Sequence, residues 1–368
     1  MLSFRAVHLS GNVGTLRMSE TRDINESNRP RMRIGIVGAG MVTSGSHLPV
    51  LVNMPDVSVA WVCDRAIAAA SAVAKTYGIP GAFADVRECP DVDAVLVATP
   101  VGSRRAVVPA VLARGWHAFC EKPFALTLAD HESYVRDARA RGLQIAVGQV
   151  RRYAKPTASA RTLVRRGAFG PIERVLAAEG FHMRGTGRGT GWHMNDRAAG
   201  GGVIAEFGSH LIDQALFILG AASADSARVR DCSQRVHLGL ELASSLVADV
   251  AVHGGAPVPC SIDVSLLDDL CSGIFIEFAS VTLRVGLGFE DTLTLVSKTG
   301  ERLASLDMPE GADSPVQAFY LEWKDFLRQC RTGEPGAIDA ASVAATTALI
   351  DGALVRADDT VQPLVQAS

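Results

Sequence analysis

The feature that most limits the folds open to this chain is a short apolar run, Ile34-Gly35-Ile36-Val37, that stops on Gly38-Ala39-Gly40. Glycines spaced this way at a strand end let the backbone turn tightly and come close to a ligand. The helix that follows offers unbonded N–H groups to phosphate oxygens. The turn reads Gly38-x-Gly40-x-x-Thr43, with Thr where the full dinucleotide fingerprint has Gly or Ala. Beyond it, the apolar runs Val57–Cys63, Ala94–Thr99, Trp116–Cys120 and Gln144–Val150 alternate with helical patterns. That alternation predicts a parallel sheet flanked by helices, a Rossmann-type α/β domain.

The ends of these strands are where ligands collect in such sheets. Asp64 follows the second strand, where a carboxylate would take the adenosine ribose hydroxyls. Arg65 beside it would receive a 2′-phosphate, so Asp64 favours NAD while Arg65 keeps NADP open. Thr99 and Pro100 end the next strand, and Glu121-Lys122-Pro123 ends the one after. The residues expected to contact cofactor are Gly38, Gly40, Met41, Val42, Asp64, Arg65, Thr99, Pro100, Glu121 and Lys122.

Lys122 stands out because lysine is scarce: Lys75, Lys122, Lys155, Lys298 and Lys324 are the only lysines among 36 basic residues. A lysine sheds its proton when desolvated, whereas a guanidinium does not, so a general acid or base calls for Lys. A second constellation lies downstream in Gly200-Gly201-Gly202 and the helix expected to run from there to Leu219, stopped by Gly220. Glu206 and His210 are four apart on one helical face, with Asp213 three further on much the same stripe. An acid, an imidazole and an acid so placed orient a hydroxyl and shuttle its proton. The substrate-binding candidates are Lys122, Arg152, Tyr153, Trp192, His193, Glu206 and His210, with Trp192-His193 suited to stacking on a sugar ring.

Size and composition set the frame. A chain of 368 residues, 48% hydrophobic, exceeds one typical domain and has ample core. We read a disordered or loosely packed extension over 1–31, a dinucleotide-binding domain over 32–150 and an α+β domain over 151–368. In the last, Ile172–His182, Ser245–His253, Val258–Leu267, Gly273–Ala279 and Thr292–Ser297 succeed one another as strands. Strands without intervening helices predict an open, mostly antiparallel sheet. A net charge of −3 leaves no electrostatic footprint for nucleic acid or an anionic membrane surface. No apolar run reaches the length of a membrane span. Seven dispersed cysteines, lacking metal-ligand spacing, read as reduced thiols of a cytoplasmic protein.

The glycine turn, Glu121-Lys122-Pro123 and the Gly200–His210 segment, in that order, resemble the glucose–fructose oxidoreductase / inositol dehydrogenase / rhizopine-catabolism (Gfo/Idh/MocA) oxidoreductase family over about residues 32 to 358. The resemblance implies a Rossmann domain joined to an α+β domain with an open sheet, and Lys122 near both the nicotinamide and the substrate hydroxyl. It implies a sugar, cyclitol or glycoside substrate, no metal, and a homodimer or homotetramer. His210 takes the family's histidine position, and Glu206 stands where many members have Asp. Val101 and Arg104 stand where the family often has Asn and His. Three functions remain open on the residues: an NAD(P)-dependent dehydrogenase, a redox-neutral enzyme with trapped cofactor, and a non-catalytic sensor.

Overall fold

The computed structural model describes residues 30–182, 200, 202–237, 239–252, 255–289, 291–357 and 361–363. The predicted first domain forms β1 (Met32–Val37), α1 (Leu48–Leu51), β2 (Val57–Cys63), α2 (Ile67–Tyr77), β3 (Gly81–Phe83), β4 (Ala94–Val97), α3 (Arg104–Ala113), β5 (His117–Glu121), α4 (Leu128–Ala140) and β6 (Ile145–Gly148). Its strands make one parallel sheet in the order β3-β2-β1-β4-β5-β6. The order reverses between β1 and β4, and in open α/β sheets ligands bind in the crevice beyond that switch point. Because helices cover both faces, β4 and β6 are buried along their whole length.

After α5 (Lys155–Arg165) come β7 (Ile172–Gly180), α6 (Ser209–Leu219), β8 (Ala227–His237), β9 (Leu240–Val250), β10 (Val258–Ser265), β11 (Gly273–Phe278), β12 (Val281–Val285), β13 (Leu293–Ser297) and β14 (Arg302–Ser305). Then follow α7 (Pro315–Thr332), α8 (Ala344–Ala357) and β15 (Val361–Pro363). A nine-stranded sheet results, in the order β14-β13-β12-β11-β7-β10-β9-β8-β15, antiparallel except where β7 meets β10 and β8 meets β15. Its apolar face, with Val175, Ala177, Leu246, Ile262 and Ile276, packs against the buried side of α6 at Leu211, Ile212 and Ala215. Strand β8 was not read from the sequence. A register shift between Val229 and Asp231 breaks the two-residue alternation, so its polar and apolar residues follow no single period.

Helix α7 starts on Ser314-Pro315, a capping pair: the Ser314 side chain accepts from the Gln317 amide, and Gly333 closes the helix in a left-handed conformation. Its aromatic stripe goes back to the first sheet. Trp323 and Phe326 join the core of Ile34, Ile36, Leu48 and Phe119, and Trp323 stacks on Phe119 at 4.6 Å. A chain stretch late in sequence thus completes the core under the first β-sheet.

Candidate active site

The glycine turn has the form its sequence requires. Gly38 adopts φ +109°, and a Cβ there would lie 2.6 Å from the Ala98 carbonyl oxygen. A Cβ on Gly40 would meet nothing within 4 Å, so that side of the turn is open to a ligand. Thr43, in place of the third glycine, is buried and donates its hydroxyl to the Gly38 carbonyl at 2.7 Å. It braces the turn from behind. The Asp64 carboxylate accepts from the Ala39 amide at 2.9 Å and from the Ala66 amide at 2.9 Å. Arg65 beside it is exposed, Met41 is 83% exposed at the helix opening, and Val42 is half-buried. An open cradle at Gly40, a carboxylate on the β2 tip and amides at a helix start fit a dinucleotide.

At the β4 tip, Thr99 Oγ1 is buried without a hydrogen-bond partner among the described residues, and Pro100 is half-buried. The Thr99 carbonyl accepts from Arg104 Nε at 3.2 Å and Nη2 at 2.9 Å. Arg104 Nη1 donates across to the carbonyls of Glu121 and Pro123 on the β5 tip. Burial pulls this guanidinium down from its ordinary value, but Arg stays charged. A cation only 2% exposed therefore clamps two strand tips through backbone oxygens.

Lys122 follows β5, its peptide bond to Pro123 cis. Its Nζ donates to the Glu206 carbonyl at 2.9 Å and lies 3.3 Å from Glu206 Oε1. The expected helix from Gly202 opens as a π turn over Ile204–Gly208 before α6 begins. Such widened turns recur at functional sites, and this one brings the main chain and side chain of Glu206 onto the lysine. His210, half-buried, has Nδ1 enclosed without a partner among the described residues. Burial, then the positive charges of Lys122 and Arg151, hold its imidazole well below its ordinary pKa. It is a neutral ring. The structure thus brings Lys122, Glu206 and His210 close together.

Other expectations need correction. Arg152 is 3% exposed and bidentate to Asp213, at 2.7 and 2.6 Å, with further bonds to Ser342. Asp213 also takes the Thr346 hydroxyl, so neither residue is available to substrate. Tyr153 donates its hydroxyl to Asp325 at 2.9 Å, and burial pushes its phenol well up. It is Arg151, one residue before Arg152, whose charge reaches His210, and it pairs bidentately with Glu179 at 2.7 and 2.8 Å. Glu121, expected at the cofactor, turns inward and is 8% exposed. It accepts from the Lys122 amide at 3.0 Å and bonds His47 at 2.8 Å. Burial works to raise its carboxyl, but the His47 hydrogen bond and the charges of Lys122 and Arg104 outweigh that and hold it low. Trp192 and His193 lie outside the described residues.

Residues 32–149 match the family described as "Oxidoreductase family, NAD-binding Rossmann fold", and 157–264 match the "GFO/IDH/MocA C-terminal domain". The chain is 30% identical to D-glucoside 3-dehydrogenase of Escherichia coli over 53% of its own length and 56% of the relative's. It is 31% identical to dTDP-3,4-didehydro-2,6-dideoxy-alpha-D-glucose 3-reductase of Streptomyces antibioticus, over 60% and 69%. In the relatives matched first, the alignment spans 56% and 53% of their length. Among solved structures, a 3-ketoreductase from Actinomadura kijaniata in complex with NADP and TDP-benzene shares the fold, with TM-score 0.73 and 16% identity over 91% of this chain and 99% of that one. Rossmann sheet, lysine-bearing β5 tip and open mixed sheet occur together here because the chain belongs to the Gfo/Idh/MocA oxidoreductase family.

Proposed function

We propose that the protein moves hydride between a nicotinamide dinucleotide and a secondary alcohol or ketone on a sugar or cyclitol ring. The observation that carries this reading is Lys122 Nζ at the β5 tip, held by Glu206 in the same site as a neutral His210. Gly38, Gly40, the helix start and Asp64 would hold the dinucleotide, which would supply the hydride acceptor or donor. In oxidation the Lys122 amine takes the hydroxyl proton; in reduction its ammonium returns one to the new alkoxide. His210 hydrogen-bonds the same oxygen without adding a charge, and Glu206 orients the lysine. The exposed Arg65 beside Asp64 leaves room for a 2′-phosphate, so NADP is to be tried beside NAD.

Two relatives whose names specify position 3 of a hexose make that carbon the first to test. Hexopyranosides and their 3-keto forms, nucleotide-linked sugars and inositols should be offered with each cofactor, and reduced nicotinamide followed by absorbance. Turnover in the parent, lowered about 1,000-fold in Lys122→Ala, is the expected result. Undiminished turnover in that variant overturns the assignment of Lys122. Glycoside cleavage without net cofactor reduction would instead identify redox-neutral chemistry.

A further inference from the structure

We infer that His47 is a positioning residue for Lys122, acting through the Glu121 carboxylate and joining the cofactor-binding helix to the lysine loop. His47 ends a π turn, Thr43–His47, in the helix that opens on the glycine turn. It is fully buried, edge-on to Phe119, Phe319 and Trp323 at ring distances of 5.5, 5.0 and 5.8 Å.

Hydrogen-bond polarity along this path runs one way. The Trp323 indole N–H can only donate, and it points at His47 Nδ1 at 3.0 Å. His47 Nδ1 is therefore the acceptor, the ring proton sits on Nε2, and Nε2–H donates to Glu121 Oε1 at 2.8 Å. Glu121 Oε2 takes the Lys122 backbone amide at 3.0 Å. Gly148 leaves room for this carboxylate, since a Cβ there would lie 2.8 Å from Oε1. Trp323 of α7, His47 of the cofactor helix and Glu121 of β5 thus form one directed path to the backbone of Lys122. None of its side chains is free to reach a substrate, so the path acts by placing the lysine.

Without the imidazole, Glu121 Oε1 is a buried anionic oxygen lacking its donor. The cation beside it that can move is the Lys122 ammonium, whereas Arg104 is tied to carbonyls on two strands. Lys122 Nζ would then turn inward to Glu121 and leave Glu206. This inference rests on Lys122 being the acting amine, and its test needs no substrate.

Acylation of individual lysines, followed by mass spectrometry, gives the labelling rate of Lys122 relative to the exposed Lys75. In His47→Leu, checked for folding by its thermal transition, that ratio falls about tenfold, and in His47→Gln, which keeps an N–H at the Nε2 position, it returns to within about twofold of the parent. In a Glu121→Gln background His47→Leu changes the ratio no further, because the path runs through the carboxylate. If His47→Leu does not fold, Trp323→Phe decides, with an expected fall of about threefold. A parent-like ratio in whichever of these variants folds, or additive effects of the Glu121 and His47 changes, overturns the inference. A residue that only filled space would lower the melting temperature and leave the ratio alone. Turnover surviving in Lys122→Ala would overturn the assignment of the lysine while leaving this result readable.

Discussion

His210 shows how a single residue's environment decides its chemistry. Burial and two nearby cations hold the imidazole well below its ordinary pKa, so falling pH does not charge it in the range where an exposed histidine titrates. It is a neutral ring beside the positive charges of Lys122 and Arg151. Two outcomes follow. The pH profile of kcat/KM has no limb near about 6.5 that disappears in His210→Gln. His210→Ala lowers kcat about 100-fold, the lower end for loss of a group acting on the transferred proton, with KM changed little. Steady-state kinetics of the two variants across pH would check both. The residue pair Arg151–Arg152 gives the converse lesson. Adjacent, chemically identical side chains divide between a pair facing the site and a pair buried behind α6, and only their partners, Glu179 and Asp213, tell them apart.

Among elements, two π turns flank the lysine, one over Thr43–His47 and one over Ile204–Gly208. Regular helical spacing from the sequence predicted plain helices in both places. It put Glu206 and His210 on one face and gave no sign of His47, whose partners lie 74 and 276 residues away. The β4 and β5 tips are joined by Arg104, whose five N–H donors span carbonyls on both. Lysine presents its donors from one atom and cannot make that span. Arg104→Lys should lose about 2–4 kcal/mol in urea unfolding, since buried carbonyls are left without donors. Gly148→Ala should be similarly costly, because its Cβ would press into the Glu121 carboxylate, and a parent-like urea midpoint would show that the strand can yield.

Across the molecule, the last third of the chain ties the two sheets together. Trp323 and Phe326 complete the first core, the Val147 amide donates to the Ile338 carbonyl, and His131 of α4 bridges to Thr347 of α8 and the carbonyl of Ala340. Burial drives the His131 pKa to about 4, against the opposing hydrogen bond to Ala340. The unfolded chain binds this proton near pH 6.5 and the folded one only near 4, so stability is unaffected above that window and falls as pH drops through it. The loss approaches about 3 kcal/mol by pH 4. The difference in urea midpoint between parent and His131→Gln should therefore shrink or reverse as pH falls from about 7.5 to 4.5. A pH-independent difference would mean that the imidazole titrates normally in the fold.

Local chemistry determined much of this protein in advance. The glycine turn, the alternation of strand and helix, the capped start of α7 and the lysine after β5 follow from spacing and residue type, because each depends on neighbours a few residues away. The tertiary structure decided what depends on distant partners. It turned Glu121 inward to His47, committed Arg152 to Asp213, gave Arg104 the carbonyls of two strand tips and returned α7 to the first core. The physical reason is common to all four. A buried charge or aromatic ring is placed by whichever groups satisfy it, and in a sheet built by crossovers those groups come from anywhere along the chain.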